Sequence, residues 1–355
     1  MSKPRIDETH AAVGLMLLQV LALATMSPVW AQERPRKSNY PQQSEALMQP
    51  DTRKVFDSAP FSRDKAVPYW TNGYLVSRVS ETVGPGTFNV TLYDRTGNKA
   101  GQAAIWFEGS ARVIVKSASV TTDGRIIASG EADKPDGTRA RFIAATDSSG
   151  NVTDVIQTRE FSPANTCAAP DGTVWSFGTL QWDAAKGVPL QGDTLRQFDT
   201  RKGQLAGYVP RSIFPNDLLF EALAFIRCSG DGVVVYSPLA GVYIEMQRGV
   251  DAPVIYQAPM PVDTRLTGFA VLGAGKIYGL LRSEGSADTS IRGLYSLLLD
   301  DNNKTGSWQP VQGTVGTRRQ PGTVIQLYGT DGGSLVFSRA EDPLGESALH
   351  WAKPY

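Results

Sequence analysis

One turn signal, written six times along the chain, limits the fold more than anything else in the sequence. A polar residue, then Asp or Asn, then Gly, then a β-branched or aromatic stretch occurs at Thr71-Asn72-Gly73-Tyr74, Thr122-Asp123-Gly124-Arg125 and Pro170-Asp171-Gly172-Thr173. It returns at Gly230-Asp231-Gly232-Val233, Gly273-Ala274-Gly275-Lys276 and Thr330-Asp331-Gly332-Gly333, the fifth copy carrying Ala274 at the acidic position. Asp-Gly and Asn-Gly supply the positive φ angles of a tight hairpin, so each copy predicts an antiparallel strand pair. A second apolar stretch follows each turn and closes on a polar turn. It is seen at 90–94 before Gly97, 142–147 before Gly150 and 195–199 before Gly203, then at 242–246 before Gly249, 294–300 before Gly306 and 348–351. The period is about fifty residues and each unit reads as four strands, so the chain is expected to be all-β. Six such units predict a six-bladed β-propeller with four antiparallel strands per blade. The last unit stops soon after its third strand, and the stretch 52–57 before the first unit is a spare strand. The ring is therefore expected to be closed by an N-terminal strand, which removes an open edge. A pair of β-sandwiches, which also space their turns this way, is the rival architecture.

The front of the chain reads differently. Lys3 and Arg5 precede an apolar run over 11–24, and Val29-Trp30-Ala31 places small residues where a signal peptidase cuts. The run is shorter than the roughly 20 residues needed to span a bilayer, so residues 1–31 are expected to be a signal peptide, with an uncleaved anchor as the alternative. Residues 32–53, with Pro35, Pro41 and Pro50 among Gln and Ser, have too few apolar side chains to fold and read as a flexible spacer. Residues 54–355 form the repeat domain. The chain is expected to be exported, periplasmic or secreted, without a transmembrane domain once the signal is removed.

Composition narrows the chemistry. Lys plus Arg and Asp plus Glu are 35 each, a balance that argues against a nucleic-acid binder or a polybasic membrane-surface protein. The two histidines are His10, in the signal, and His350, so multi-His metal centres are excluded and a His-dependent triad would have to recruit the far C-terminus. Phosphate-binding loops, nucleophile elbows and Cys-x-x-Cys pairs are absent.

The six turn signals and the closing strand resemble a six-bladed β-propeller of the broad NHL, SMP-30 and TolB type, common among exported bacterial proteins, over roughly residues 55–355. The resemblance implies that ligands bind on the face opposite the Asp-Gly hairpins, where blades enter the central channel. Glu160, Asn165, Asn216, Glu221, Asp263 and Arg265 fall there and are the candidate ligand-binding residues. Glu221 stands out because it interrupts an apolar run, and a carboxylate there must face water or be paired. SMP-30-like enzymes hold one divalent metal with carboxylate and Asn ligands, which suits an oxygen-loving cation. The expected function is an exported binding module for a small ligand, glycan or protein partner at the channel mouth. The alternative is a divalent-metal-dependent hydrolase of SMP-30 or lactonase type, with calcium or another divalent metal as cofactor. Catalytic residues are not identifiable.

Cys167 and Cys228, the only two cysteines, each lie a few residues before an Asp-Gly turn, on the expected innermost strands of adjacent blades three and four. In an oxidising compartment they either pair or remain two small buried thiols.

Overall fold

Strand pairing follows the turn signals along the whole repeat domain. A computed structural model describes residues 52–56, 68–82, 84–183, 185–215, 219–221, 223–273, 275–285, 290–340 and 347–354. All of them belong to one compact unit, Gln43–Tyr355. The expected signal lies outside the described residues, as does the expected spacer apart from Thr52 and Arg53, which already pair in a strand. Among the described residues the fold is all-β, with one short 3-10 turn at Arg211–Ile213. No helix among the described residues is long and apolar enough to cross a membrane.

The strands assemble into sheets of eight, five, four, two and eight strands, rather than six separate sheets of four. Each eight-stranded sheet is joined at its middle by a parallel contact of a single residue pair, Trp70 with Gly329 in one and Gln257 with Thr305 in the other. On either side of each contact four strands run antiparallel. The first run is Tyr69–Thr71, Tyr74–Arg78, Val90–Tyr93 and Lys99–Ala103. The second is Arg112–Val120, Ile126–Asp133, Arg139–Thr146 and Val152–Gln157, extended by the two-residue strand Glu81–Thr82. The third is Phe161–Ala168, Val174–Leu180, Leu195–Asp199 and Gly203–Gly207. The fourth is Phe225–Cys228, Gly232–Ser237, Val242–Gln247 and Val254–Gln257. The fifth is Thr264–Val271, Ile277–Ser283, Arg292–Asp300 and Thr305–Pro310. The sixth has Val324–Asp331, Ser334–Arg339 and Ser347–Ala352, and Thr52–Phe56 pairs antiparallel with the last of these as its fourth strand.

The turn glycines adopt the backbone that motivated the reading, with φ of 85° at Gly73, 83° at Gly124 and 86° at Gly172. Two first strands share a device that the sequence hides. The register slips between Val115 and Ser117, and again between Pro163 and Asn165. The carbonyl before each bulge then presses on the second strand, where a Cβ at Gly130 or Gly178 would lie 1.9 Å or 2.1 Å from it. Only glycine fits opposite these bulges.

The apolar residues form six clusters, and each fills the space between consecutive runs. Val76, Val90 and Leu92 meet Val113, Ala128 and Phe142 between runs one and two. Ile127 and Ile143 meet Phe161 and Phe198 between two and three. Phe177 and Leu195 meet Ile226 and Ile244 between three and four, and Tyr236 and Tyr243 meet Phe269 and Leu297 between four and five. Tyr278 and Leu294 pack on Leu327 and Phe337 between five and six. The sixth cluster returns to the start, with Trp351, Val336 and Phe56 against Trp70 and Leu75. This cyclic order follows from alternation: each strand sends one side-chain set to the run before it and the other to the run after it.

Candidate functional site

The turn end of the first strands holds the candidate site. The hairpins that follow these strands bring Asn72, Pro170, Gly230, Gly273 and Gly332, from five different runs, around one cavity of about 320 Å³. The second run adds no residue to the cavity wall but is tied to it by Asn72, whose side-chain amide donates to Val120 O at 2.7 Å and to Ala168 O at 3.2 Å. Asn72 thus fills the left-handed position of its own turn, at φ 48°, and clasps the ends of two neighbouring first strands. The cavity continues outward past Ser229 and Gly230 into a second one of about 470 Å³ along Tyr243, Glu245 and Met246.

Arg227, on the strand Phe225–Cys228, lines the first cavity. Its Nε donates to Phe269 O at 3.0 Å and its Nη1 to Ile226 O at 2.8 Å. The guanidinium carbon lies 5.1 Å from the centre of the Tyr69 ring and 5.9 Å from that of Phe225, within range of cation–π attraction. Burial draws the guanidinium down to about 10, opposed by Tyr69, so it stays charged at neutral pH. Tyr69 donates its hydroxyl to Ala118 O, and burial holds that hydroxyl above its ordinary value, with Ser119 and Arg227 acting in the opposite sense. Asp331, the other charged side chain on the cavity wall, is engaged by Arg95 and by Trp351 Nε1 at 2.9 Å.

The residues expected from the sequence lie elsewhere and in separate neighbourhoods. Glu160 is exposed and lines a cavity of about 370 Å³ with Arg139, Arg141 and Arg159. Asn165 is half-buried beside the bulge of its strand. Glu221 is partly buried near Arg211, and its Oε2 accepts no hydrogen bond. Asp263 is exposed in a turn at φ 57°. Arg265 is exposed opposite Arg282, and with Arg282 and Arg318 it adds to the burial that lowers the pKa of Arg292. Asn216 lies outside the described residues. Cys167 and Cys228 are joined by a disulfide with Cα atoms 5.7 Å apart, between the first strands of runs three and four.

A buried carboxylate that sequence reading did not single out sits at the far end of run two. Glu131 is 5% exposed; Lys116 Nζ lies 2.8 Å from Oε1, Arg139 Nη1 3.2 Å from Oε2 and Arg141 Nε 3.5 Å from Oε1. Burial pushes the carboxyl up, but Lys116, Arg139 and Arg141 together outweigh it and hold Glu131 below its ordinary value. Its oxygens are already taken by cations of the protein.

For a divalent metal the donor set is unsuitable. Among the described residues no three of His, Cys, Asp and Glu converge. Glu160 and Glu221 have arginines for neighbours rather than each other. These residues do not fit an oxygen-loving cation, which needs several anionic or carbonyl oxygens at once.

No protein-family model matches the chain, and no curated protein matches it. Among solved structures it is similar to a glucose dehydrogenase at 12% identity and TM-score 0.40, over 84% of this chain and 99% of that one. It is similar to a gluconolactonase from Xanthomonas campestris at 13% identity and TM-score 0.34, over 89% and 100%. It is also similar to a eukaryotic initiation factor at 13% identity and TM-score 0.34, over 73% of this chain but only 57% of that one.

Proposed function

We propose that the chain is an exported six-bladed β-propeller that binds a small ligand in the axial mouth on the Asp-Gly side. One observation carries the reading: hairpins from five of the six runs converge on a single cavity of about 320 Å³, a size typical of small-molecule sites. The blade assignment rests on the six cyclically ordered clusters, the last of which joins the sixth run to the first. Export is supported by the leader-like front of the sequence and by the Cys167–Cys228 bond, which suits an oxidising compartment. The site thus moves from the face where Glu160, Glu221 and Asp263 stand to the opposite one. Among the described residues no donor set favours a metal-dependent hydrolase.

Gly230 offers the test. A Cβ there meets nothing within 4 Å and its φ lies outside the left-handed region, so Gly230→Trp can fill the mouth without straining the fold. Thermal melting of both proteins against a panel of metabolite-sized solutes should show ligands that raise the melting temperature of the natural chain and not of the variant. The unliganded proteins should melt together. Identical shifts in both would move the site elsewhere.

A further inference from the structure

We infer that the axial cavity takes an organic carboxylate, gripped by the guanidinium of Arg227. The inference rests on the cavity being a ligand site and names the class of ligand. Among the described residues no carboxylate forms an ion pair with Arg227, and the one carboxylate on the cavity wall, that of Asp331, is already engaged by Arg95 and Trp351. A guanidinium has five N–H donors. The protein uses Nε and one proton of Nη1, leaving the second Nη1 proton and both on Nη2 without protein acceptors. Those two nitrogens form the end-on edge that matches the two oxygens of a carboxylate.

The arginine is also fixed in advance. Two backbone carbonyls and two aromatic faces set its position before any ligand arrives, which lowers the ordering cost of binding. A half-buried cation without a counter-charge costs stability, so its presence on a strand beside apolar side chains calls for a return in binding. The rest of the wall selects an organic anion over a bare inorganic one. Val234, Val271 and Leu272 supply apolar surface beside the charge, and a single guanidinium matches one carboxylate better than a phosphate dianion.

The test is a titration of benzoate, its neutral isostere benzamide, and inorganic phosphate into the natural chain, Arg227→Met, Arg227→Lys and Gly230→Trp, read by calorimetry. Benzoate should bind the natural chain tenfold or more tighter than benzamide or phosphate. Arg227→Met should weaken benzoate by roughly 10- to 100-fold, the usual worth of a charged hydrogen-bonded pair, while benzamide changes by less than about twofold and the unliganded protein melts no lower. Arg227→Lys, which keeps the charge but loses the fork, should fall between. Benzamide binding as well as benzoate, with both lost in Gly230→Trp, would overturn the carboxylate and leave the cavity standing. Phosphate binding tighter than benzoate, benzoate failing to bind the natural chain, or benzoate indifferent to both Arg227 changes would each overturn the inference. Solutes that bind Gly230→Trp and the natural chain alike would instead overturn the cavity itself.

Discussion

The ring is closed twice, by different means, at nearly opposite points. Within run six the carboxyl-terminal strand is joined to the start of the chain without a covalent bond: Thr52–Phe56 adds to Ser347–Ala352, Phe56 and Trp351 pack on Trp70, and Asp331 ties Arg95 to the Trp351 indole. Trp70 and Trp351 meet edge to face at 5.3 Å. The backbones approach so closely that a Cβ at Gly329 would lie 2.4 Å from Trp70 O. Between runs three and four the polypeptide is continuous, but its connection, 208–224, is the longest between any two runs. There the first strands are bonded through Cys167 and Cys228, over stacked Phe214 and Phe220 with ring centres 4.0 Å apart. The difference shows what each interface lacks. The seam supplies the missing strand and buries large aromatics, whereas the long connection leaves the first strands free to drift and is countered by a covalent tie.

The largest effect should come from the seam. A chain begun after residue 58 loses the closing strand and exposes the edge of Ser347–Ala352, with a loss of about 5 kcal/mol or more, enough to unfold many domains. A chain begun at residue 50 should melt as the full one does. Next, replacing both cysteines with serine removes a tie across 61 residues of sequence and should cost about 4 kcal/mol or less by the chain-entropy relation. Urea unfolding of the two variants gives the ranking, and a serine pair that loses as much as the shortened chain would reverse it. Thiol counting on the denatured, unreduced protein should find none.

A third interface sharpens the comparison, since runs two and three are joined by neither a borrowed strand nor a bond. Glu131→Gln should cost about 1–3 kcal/mol at neutral pH, because Lys116 loses its carboxylate but stays partly solvated. Glu131 titrates below its ordinary value of 4.5 when folded. Its contribution is therefore whole above that value and fades as pH falls through the lowered one. Stability measured against pH should show the natural chain and Glu131→Gln converging in acid, and a gap that stays constant would assign the loss to packing. The smallest effect should be that of Asn72→Gly, about 1 kcal/mol. Glycine takes the left-handed position of the turn freely, so the loss is chiefly that of the donations to Val120 O and Ala168 O. An unchanged melting temperature would show the clasp to be dispensable.

The strands were legible because their cause is local. Asn72-Gly73 and Asp171-Gly172 dictate hairpins through backbone φ alone, and the spare stretch near Thr52 could be matched to the missing strand by counting. The merging of runs into eight-stranded sheets was not legible, since the single pairs at Trp70 and Gln257 depend on how neighbouring runs meet. The candidate site was legible only in part. Glu160, Glu221 and Asp263 read as carboxylates where blades enter the channel, and they stand among arginines or in open turns. Arg227 carries only a faint local signal, as a cation that ends the apolar stretch Phe225-Ile226. Its meeting with Tyr69, far upstream in sequence, is a product of ring closure that no local pattern records.

The antiparallel pairing of Thr52 with Trp351 has a topological consequence. The strand Thr52–Phe56 and the last strand, Ser347–Ala352, lie side by side as one pair, so in a chain begun at Thr52 a short turn from the carboxyl end would convert the seam into an ordinary hairpin. The molecule would then have no privileged origin. A circular permutant joined there and opened within 208–224 would carry its new termini at the interface that Cys167 and Cys228 span. In that chain the disulfide would be the covalent clasp of the ring, and redox state would decide whether the circle is held by a bond or by apolar packing between runs three and four alone.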